Sequence, residues 1–390
     1  MVDRERVEVF VWQHLSGSLW GQVGEIDKHQ SLSFEDRYLR AGPWTLQASY
    51  DGQSAKVNRQ SLLTFGFRDM PLYTGLVEHL GPQSDVRGKV TYDLAGVNAV
   101  ALLEDPLAWP EPAVSLPSQQ FTHYELSGVA EDVLSTMIRQ QYGRLYDGGV
   151  YEATVAASRH RGASIEVRNR YRPLLQSIQY RCEVAELKPR VRLVPTAPGS
   201  TRANLTIDFE DTTDLSERVH LSQQIGTLKS WSQYDEVPQA TRGIVAGAAD
   251  KQIDRPLRQA IAADAEDAWG RRRETFIDAR DMGRPENLPG RGDEELSDLA
   301  QQSSFNIETD DAAGMRYGRL FGVGDQVTVE LAIGLPRAER LGAATVTSDS
   351  GGIKVSLKPG DPEADPNPLY TTGTILRRFR RWIRDLQQED

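Results

Sequence analysis

Apolar residues alternate with polar ones through much of the first hundred positions. Val7, Val9 and Val11 alternate with Glu8, Phe10 and Trp12. Trp44, Leu46, Ala48 and Tyr50 alternate with Thr45, Gln47 and Ser49, and Leu63, Phe65 and Phe67 keep the same step. A period of two marks a strand with one face in a core. Val90, Tyr92 and Leu94 supply another such run, and turns at Ser16-Gly17-Ser18, Asp51-Gly52 and Gly81-Pro82 separate the runs. A small β-sandwich or barrel is predicted here.

Pro106, Pro110, Pro112 and Pro117 stiffen the chain next, and the period then changes. Ser127 is placed to cap a helix whose one face holds Val129, Val133, Met137 and Ile138. A second short helix is predicted to open near Pro173 and bury Leu174, Leu175 and Ile178. Strands follow around Val191–Val194 and at Leu205, Ile207 and Phe209. Beyond Gly243, Asp254 and Pro256 start a predicted helix that runs through Leu257, Ile261 and Trp269 to Gly270. A strand over Glu274–Ala279 and a helix over Asp293–Gln302 come after it. Val327, Val329, Leu331 and Ile333 then alternate without a miss, and Ala344–Thr347 and Ile353, Val355 and Leu357 continue as a meander. The predicted chain is α+β and mainly β. It has two small β-barrel or sandwich domains (1–115 and, with a helix, 241–360), a mixed α+β middle domain (116–240), and a Pro-rich tether with a basic amphipathic helix (361–390).

Composition agrees with many short elements. The 390 residues exceed one ordinary domain, and 33 Gly and 20 Pro imply many turns. A net charge of −11 repels the phosphate backbone, so no specific nucleic-acid binding is expected. Only eight of the 45 basic residues are Lys, a skew that a GC-rich genome produces without any functional cause. The single cysteine, Cys182, excludes an intramolecular disulfide framework and a thiolate metal cage. No run of about 18 apolar residues offers a membrane span, and Asp3, Arg4, Glu5 and Arg6 make the start unlike a signal peptide. A soluble chain made in a cytoplasm is expected.

Catalytic signatures are missing. The chain has no G-x-S-x-G elbow, no G-x-x-x-x-G-K-[ST] loop and no H-E-x-x-H helix. His14, His29, His79, His123, His160 and His220 are scattered without ligand spacing, so no metal and no cofactor is expected. With 56 acidic residues, adjacent pairs such as Glu104 and Asp105 or Asp310 and Asp311 carry no information about glycosidase chemistry. Arg291-Gly292-Asp293 reads as a turn ending in an Asp cap. Asn204-Leu205-Thr206 matches a glycosylation acceptor but lacks a secretion signal, and Gly322-Val323-Gly324 is a turn before a strand, not a dinucleotide loop. No enzyme is expected.

The last helix is the one segment with a functional option. Ile375, Leu376, Phe379, Trp382, Ile383 and Leu386 recur at three- and four-residue spacing, and Arg377, Arg378, Arg380, Arg381 and Arg384 fill the other positions. Docking on another subunit or tail partner, packing on its own chain and contact with a membrane surface are all open to it. The Pro-rich tether favours reaching outward. Leu376, Phe379, Arg380, Trp382, Ile383 and Arg384 are the candidate interface residues.

Several stretches resemble the minor tail or tail-tip hub proteins of long-tailed phages infecting actinobacteria, relatives of the baseplate hubs of contractile tails. They are Val23–Asp27 with Gly42–Leu46, then Leu72–Val77 with Gly88–Val97, Tyr171–Leu175, and Trp269–Arg280 followed by Tyr317-Gly318 and Gly324–Val329. The order of these stretches over roughly 7–358 carries the resemblance. It implies a virion protein of the tail tip: a homotrimer whose two β domains per chain form a pseudo-sixfold ring around a DNA channel. Distal tail proteins, other tail-tip proteins and the C-terminus of the tape-measure protein would be its partners. Trp12, Trp20 and Trp231 are candidate anchors for such contacts, although core positions suit them equally. A receptor- or glycan-binding tail module is the alternative, and a tail-associated cell-wall hydrolase a third.

Overall fold

The computed structural model describes residues 7–67, 73–84, 86, 88, 90–248, 255–280, 288–299, 302–309, 316–330 and 336–360. Seven strands open the chain: β1 (Glu8–Ser16), β2 (Leu19–Glu25), β3 (His29–Arg37), β4 (Pro43–Ser49), β5 (Leu62–Gly66), β6 (Tyr73–Ser84) and β7 (Val90–Asn98). They pair antiparallel in the order β2-β1-β5-β6-β7-β4-β3. Alternation works as the sequence suggests: Val9 and Val11 are buried while Glu8 is exposed. Phe34, Phe65 and Tyr73 stack with ring centroids 5.0–5.5 Å apart, and Trp44 meets the Phe65 edge at 5.5 Å. Two glycines let the Trp44 indole lie flat on β6 and β7. A Cβ on Gly75 would sit 2.5 Å from the Trp44 Nε1, and one on Gly96 would sit 1.8 Å from the Leu76 carbonyl oxygen.

The middle of the chain holds β8 (Tyr124–Val129), α1 (Ala130–Tyr146), β9 (Thr154–Val155), β10 (Ser164–Asn169), α2 (Leu174–Val184), β11 (Leu187–Pro195), β12 (Arg202–Asp211) and β13 (His220–Ser222). β8 and β10 form a two-stranded sheet. α1 buries Val133, Met137 and Ile138 of the predicted face together with Leu134 and Tyr142, whereas Val129 ends β8. Its start differs from expectation. Ser127 lies within β8 and caps nothing, because the Ala130 and Glu131 amides instead donate to the Ala163 and Arg161 carbonyls. Tertiary backbone contacts thus satisfy amides that a side chain was expected to satisfy. α2 opens directly after Pro173, as predicted.

Downstream lie β14 (Leu228–Glu236), β15 (Arg242–Ala246), β16 (Leu257–Ile261), α3 (Ala263–Trp269), β17 (Glu274–Asp278), α4 (Leu288–Asp298) and β18 (Gln302–Thr309). β16, β15 and β17 make a three-stranded sheet, antiparallel on one side of β15 and parallel on the other. α4 lies on one face, close enough that a Cβ on Gly292 would be 2.6 Å from the Ala260 Cβ. The helix expected from Asp254 is therefore mostly wrong. Leu257–Ile261 is a strand because β15 offers it an edge, and only Ala263–Trp269 is helical, ending at Gly270 with φ +59°. Arg291-Gly292-Asp293 lies inside α4 rather than before it, so Asp293 is not its cap, and Arg291 pairs with Glu294 and Glu295.

The chain closes with β19 (Gln326–Glu330), β20 (Arg337–Asp349) and β21 (Gly352–Pro359). β19 lies antiparallel to β20 and parallel to β13. β20 runs antiparallel along β3 from Ala343–Arg37 to Asp349–Ser31. The late meander thus extends the early sheet instead of building a second, separate one, because β3 would otherwise present an open edge. β12 joins the same sheet through β2 and carries β11 outside it. The strand order becomes β11-β12-β2-β1-β5-β6-β7-β4-β3-β20, and this path of described strands does not close into a hydrogen-bonded barrel. The chain is mainly β with four α-helices among the described residues. Two compact units result, Met1–Lys229 with Glu308–Leu357, and Ser230–Ile307 with Lys358–Asp390.

Candidate functional site

Charge, not a cleft, organises the most connected polar cluster of the first unit. On β11, Pro189, Val191 and Leu193 turn inward while Lys188, Arg190 and Arg192 turn to the other face. On β12, Asp208 and Glu210 stand opposite them in register, Lys188 facing Glu210 and Arg190 facing Asp208. Arg190 sends Nη1 and Nη2 to the two Asp36 oxygens on β3, at 2.7 and 3.0 Å, and Nε to Glu210 at 3.0 Å. Arg192 also pairs with Glu210, Lys188 lies 3.6 Å from it, and the Lys188 ammonium donates to the Val323 carbonyl at 2.7 Å. Tyr317 reaches Asp36 at 3.5 Å. The predicted turn at Gly322–Gly324 serves this cluster. Asp325 accepts from the Gly322 and Thr213 amides and holds the turn over Lys188.

The same strand extends the network to α1. Asp208 accepts from Arg159 at 2.7 Å, and Asp211 pairs with Arg161 at 2.6 Å. Arg161 then clasps the buried Glu131 through Nε and Nη2 at 3.0 and 2.7 Å. Burial pushes the Glu210 carboxyl up, but Arg190, Lys188 and Arg192 together pull it further down, to about 2. Burial also lowers Lys188, helped by Arg190 and opposed by Glu210. For Arg190 the burial penalty is outweighed by Asp36 and Glu210, which hold it charged. The network clamps β3, β11, β12, α1 and the 316–325 turn.

The histidines are spread among local partners. His14 meets the Gly17 carbonyl, His29 the Ser348 hydroxyl, His123 the Thr122 hydroxyl, His160 the Asp132 carboxylate and His220 the Glu217 carbonyl. His79 lines a shallow groove with Arg59, Val77, Glu78 and Leu80. Among the described residues no three His, Cys, Asp or Glu side chains converge on a common point that could hold a metal. Asp105 is taken by the Tyr146 hydroxyl. Asp310 and Asp311 lie outside the described residues, as do Leu376, Phe379, Arg380, Trp382, Ile383 and Arg384. Trp12 and Trp20, offered as contact anchors, are 2% and 0% exposed, so both belong to the core, whereas Trp231 is half-buried. Exposed apolar side chains stand elsewhere in the first unit: Phe121 at 69%, Leu116, Leu15, Leu145 and Ile225. The charged ladder had a signal in the sequence, Lys188, Arg190 and Arg192 alternating on one strand and Asp208 and Glu210 on the next. Asp36 had none.

Comparison with known proteins places this architecture. The family model described as Siphovirus ReqiPepy6 Gp37-like protein matches residues 8–361. The fold is similar to the 43 kDa tail protein of prophage MuSo2 from Shewanella oneidensis, with TM-score 0.54 and 15% identity over 92% of this chain and 99% of that one. A tail protein from Neisseria meningitidis MC58 gives TM-score 0.56 and 11% identity over 91% and 97% of the two chains. Prophage tail protein gp18 from Listeria monocytogenes EGD-e gives 0.50 and 10% over 97% and 99%. The comparison with curated proteins finds no match.

Proposed function

The chain belongs to the Siphovirus ReqiPepy6 Gp37-like family, and from that membership we propose that it is a structural component of a phage tail. The observation that carries this reading is the shared fold with three tail proteins over more than nine-tenths of both chains in each pair. An ion network that ties β3, β11, β12 and α1 together suits a scaffold.

The finer reading is a hub at the tail tip, three copies forming a ring that joins the tube to the tip and passes DNA. The acidic balance supports it: three chains carry three times −11, and such a wall repels phosphate instead of binding it. Exposed apolar side chains such as Phe121 and Leu116 supply centres for contacts between copies or with tail partners. The glycan-binding alternative gains nothing from Trp12, Trp20 and Trp44, all buried.

Two measurements test this. Peptides of the chain are expected in purified, DNA-containing virions and tails, and labelled antibody is expected at the tail end distal to the head. Absence from intact tails ends the structural reading. Native mass spectrometry of the chain with its tail partners is expected to give three copies per ring, and a basic bore in a map of the assembled tip would end the channel reading.

A further inference from the structure

Among the described residues, α4 covers one face of the three-stranded sheet of the second unit. Val245, Ala260 and Ile277 face α4, and Leu288 and Leu296 of that helix pack on the same side. By strand alternation the opposite face holds Ile244 and Phe276 as a cross-strand pair, with Leu257 and Ile261 at the two ends of β16 opposite Ala246 and Arg242. Leu257, Ile261 and Phe276 are 55%, 47% and 52% exposed. Three large exposed apolar side chains on one sheet face mark a surface that another element covers.

We infer that residues 375–386 of this same chain dock across that open face. Size supports it. Five-residue strands are roughly 16 Å long and three of them span roughly 10 Å, while twelve residues of helix are roughly 18 Å long and about 10 Å wide. Pattern supports it too, since Ile375, Leu376, Phe379, Trp382, Ile383 and Leu386 recur at three- and four-residue spacing, an apolar stripe that needs a partner. Charge agrees. The cations of the face are already held, Arg242 by Glu266 at 2.6 Å and Arg255 by Asp278. Asp264, Asp267 and Glu274 are exposed acidic side chains on α3 and β17, and the incoming segment carries five arginines between 377 and 384. The Pro-rich stretch 361–374 spans up to about 45 Å when extended, and a tethered segment meets its site at high effective concentration.

The arginines make the test direct, because trypsin cuts after each exposed one. In the full-length chain, cleavage after Arg377–Arg384 is expected to be at least about tenfold slower than in a synthetic peptide of residues 361–390. Leu257→Asp with Phe276→Asp is expected to restore the peptide rate, with circular dichroism unchanged because both side chains are already exposed. Equal rates in full chain and peptide, or undiminished protection in the double variant, would overturn the inference. So would protection that fades on dilution, which assigns the face to a second copy. Phe276→Cys with Trp382→Cys is expected to link within one chain under a short thiol crosslinker, Cys182 being buried; failure to link counts against the proposal.

Discussion

Arg190 on β11 and Asp36 on β3 lie eight places apart in the strand order, yet two hydrogen bonds of 2.7 and 3.0 Å join them. The sheet must therefore curl until its first and ninth strands meet. The closure is made by side chains, not by a backbone ladder. Leu193 strengthens it by donating its amide to the Thr74 hydroxyl of β6 at 3.1 Å.

Removing one partner from such a closure leaves the other buried and unpaired. Arg190→Ala is expected to cost about 3–5 kcal/mol, since Asp36 loses its paired cation and Glu210 loses one of three. Arg190→Lys keeps the charge but not the fork that spans both Asp36 oxygens, so an intermediate loss is expected. Denaturant midpoints of the three proteins check this order, and an Arg190→Ala protein as stable as the parent contradicts it.

Acid should open the same cluster. Glu210 sits at about 2 in the folded chain against an ordinary 4.5. Its folded value is depressed, so its stabilisation is complete above about pH 4.5 and is lost as pH falls through about 2. The contribution at stake is on the order of 3 kcal/mol. Unfolding midpoints measured from pH 6 down to pH 2 are expected to drop, and Glu210→Gln to flatten part of that fall.

The bed beneath Trp44 tolerates no Cβ. Gly75→Ala places a methyl against the indole Nε1, which donates to the Leu76 carbonyl at 3.0 Å. A loss of about 1–3 kcal/mol is expected. Gly96→Ala meets the backbone itself at Leu76 and is expected to lose more. Gly52→Ala, in an open turn with nothing within 4 Å, is the control and should leave the midpoint unchanged.

Cys182 reports on the integrity of α2 and the core beneath it. The thiol is fully buried, and burial pushes its ionisation far up, so the nucleophilic thiolate is scarce. A chromogenic disulfide reagent at pH 8 is expected to find no reactive thiol in the native protein and one per chain in denaturant. Prompt reaction of the native chain would show that α2 opens.

The sequence by itself determined which segments are strands wherever one face enters a core. Period-two runs at Val7–Trp12, Trp44–Tyr50 and Val327–Val329 follow from the pleat alone, as the apolar stripe of α1 follows from the helical turn. Local logic failed where a neighbour supplied the deciding contact. Leu257–Ile261 carries helix signals, but the β15 edge makes it a strand, and Ser127 is bypassed because distant carbonyls take the α1 amides. Only the tertiary structure decided that β20 lies beside β3 and that Arg190 finds Asp36. Pairing between segments hundreds of residues apart leaves no periodic trace, because any exposed edge or opposite charge of the right shape would satisfy the same local pattern.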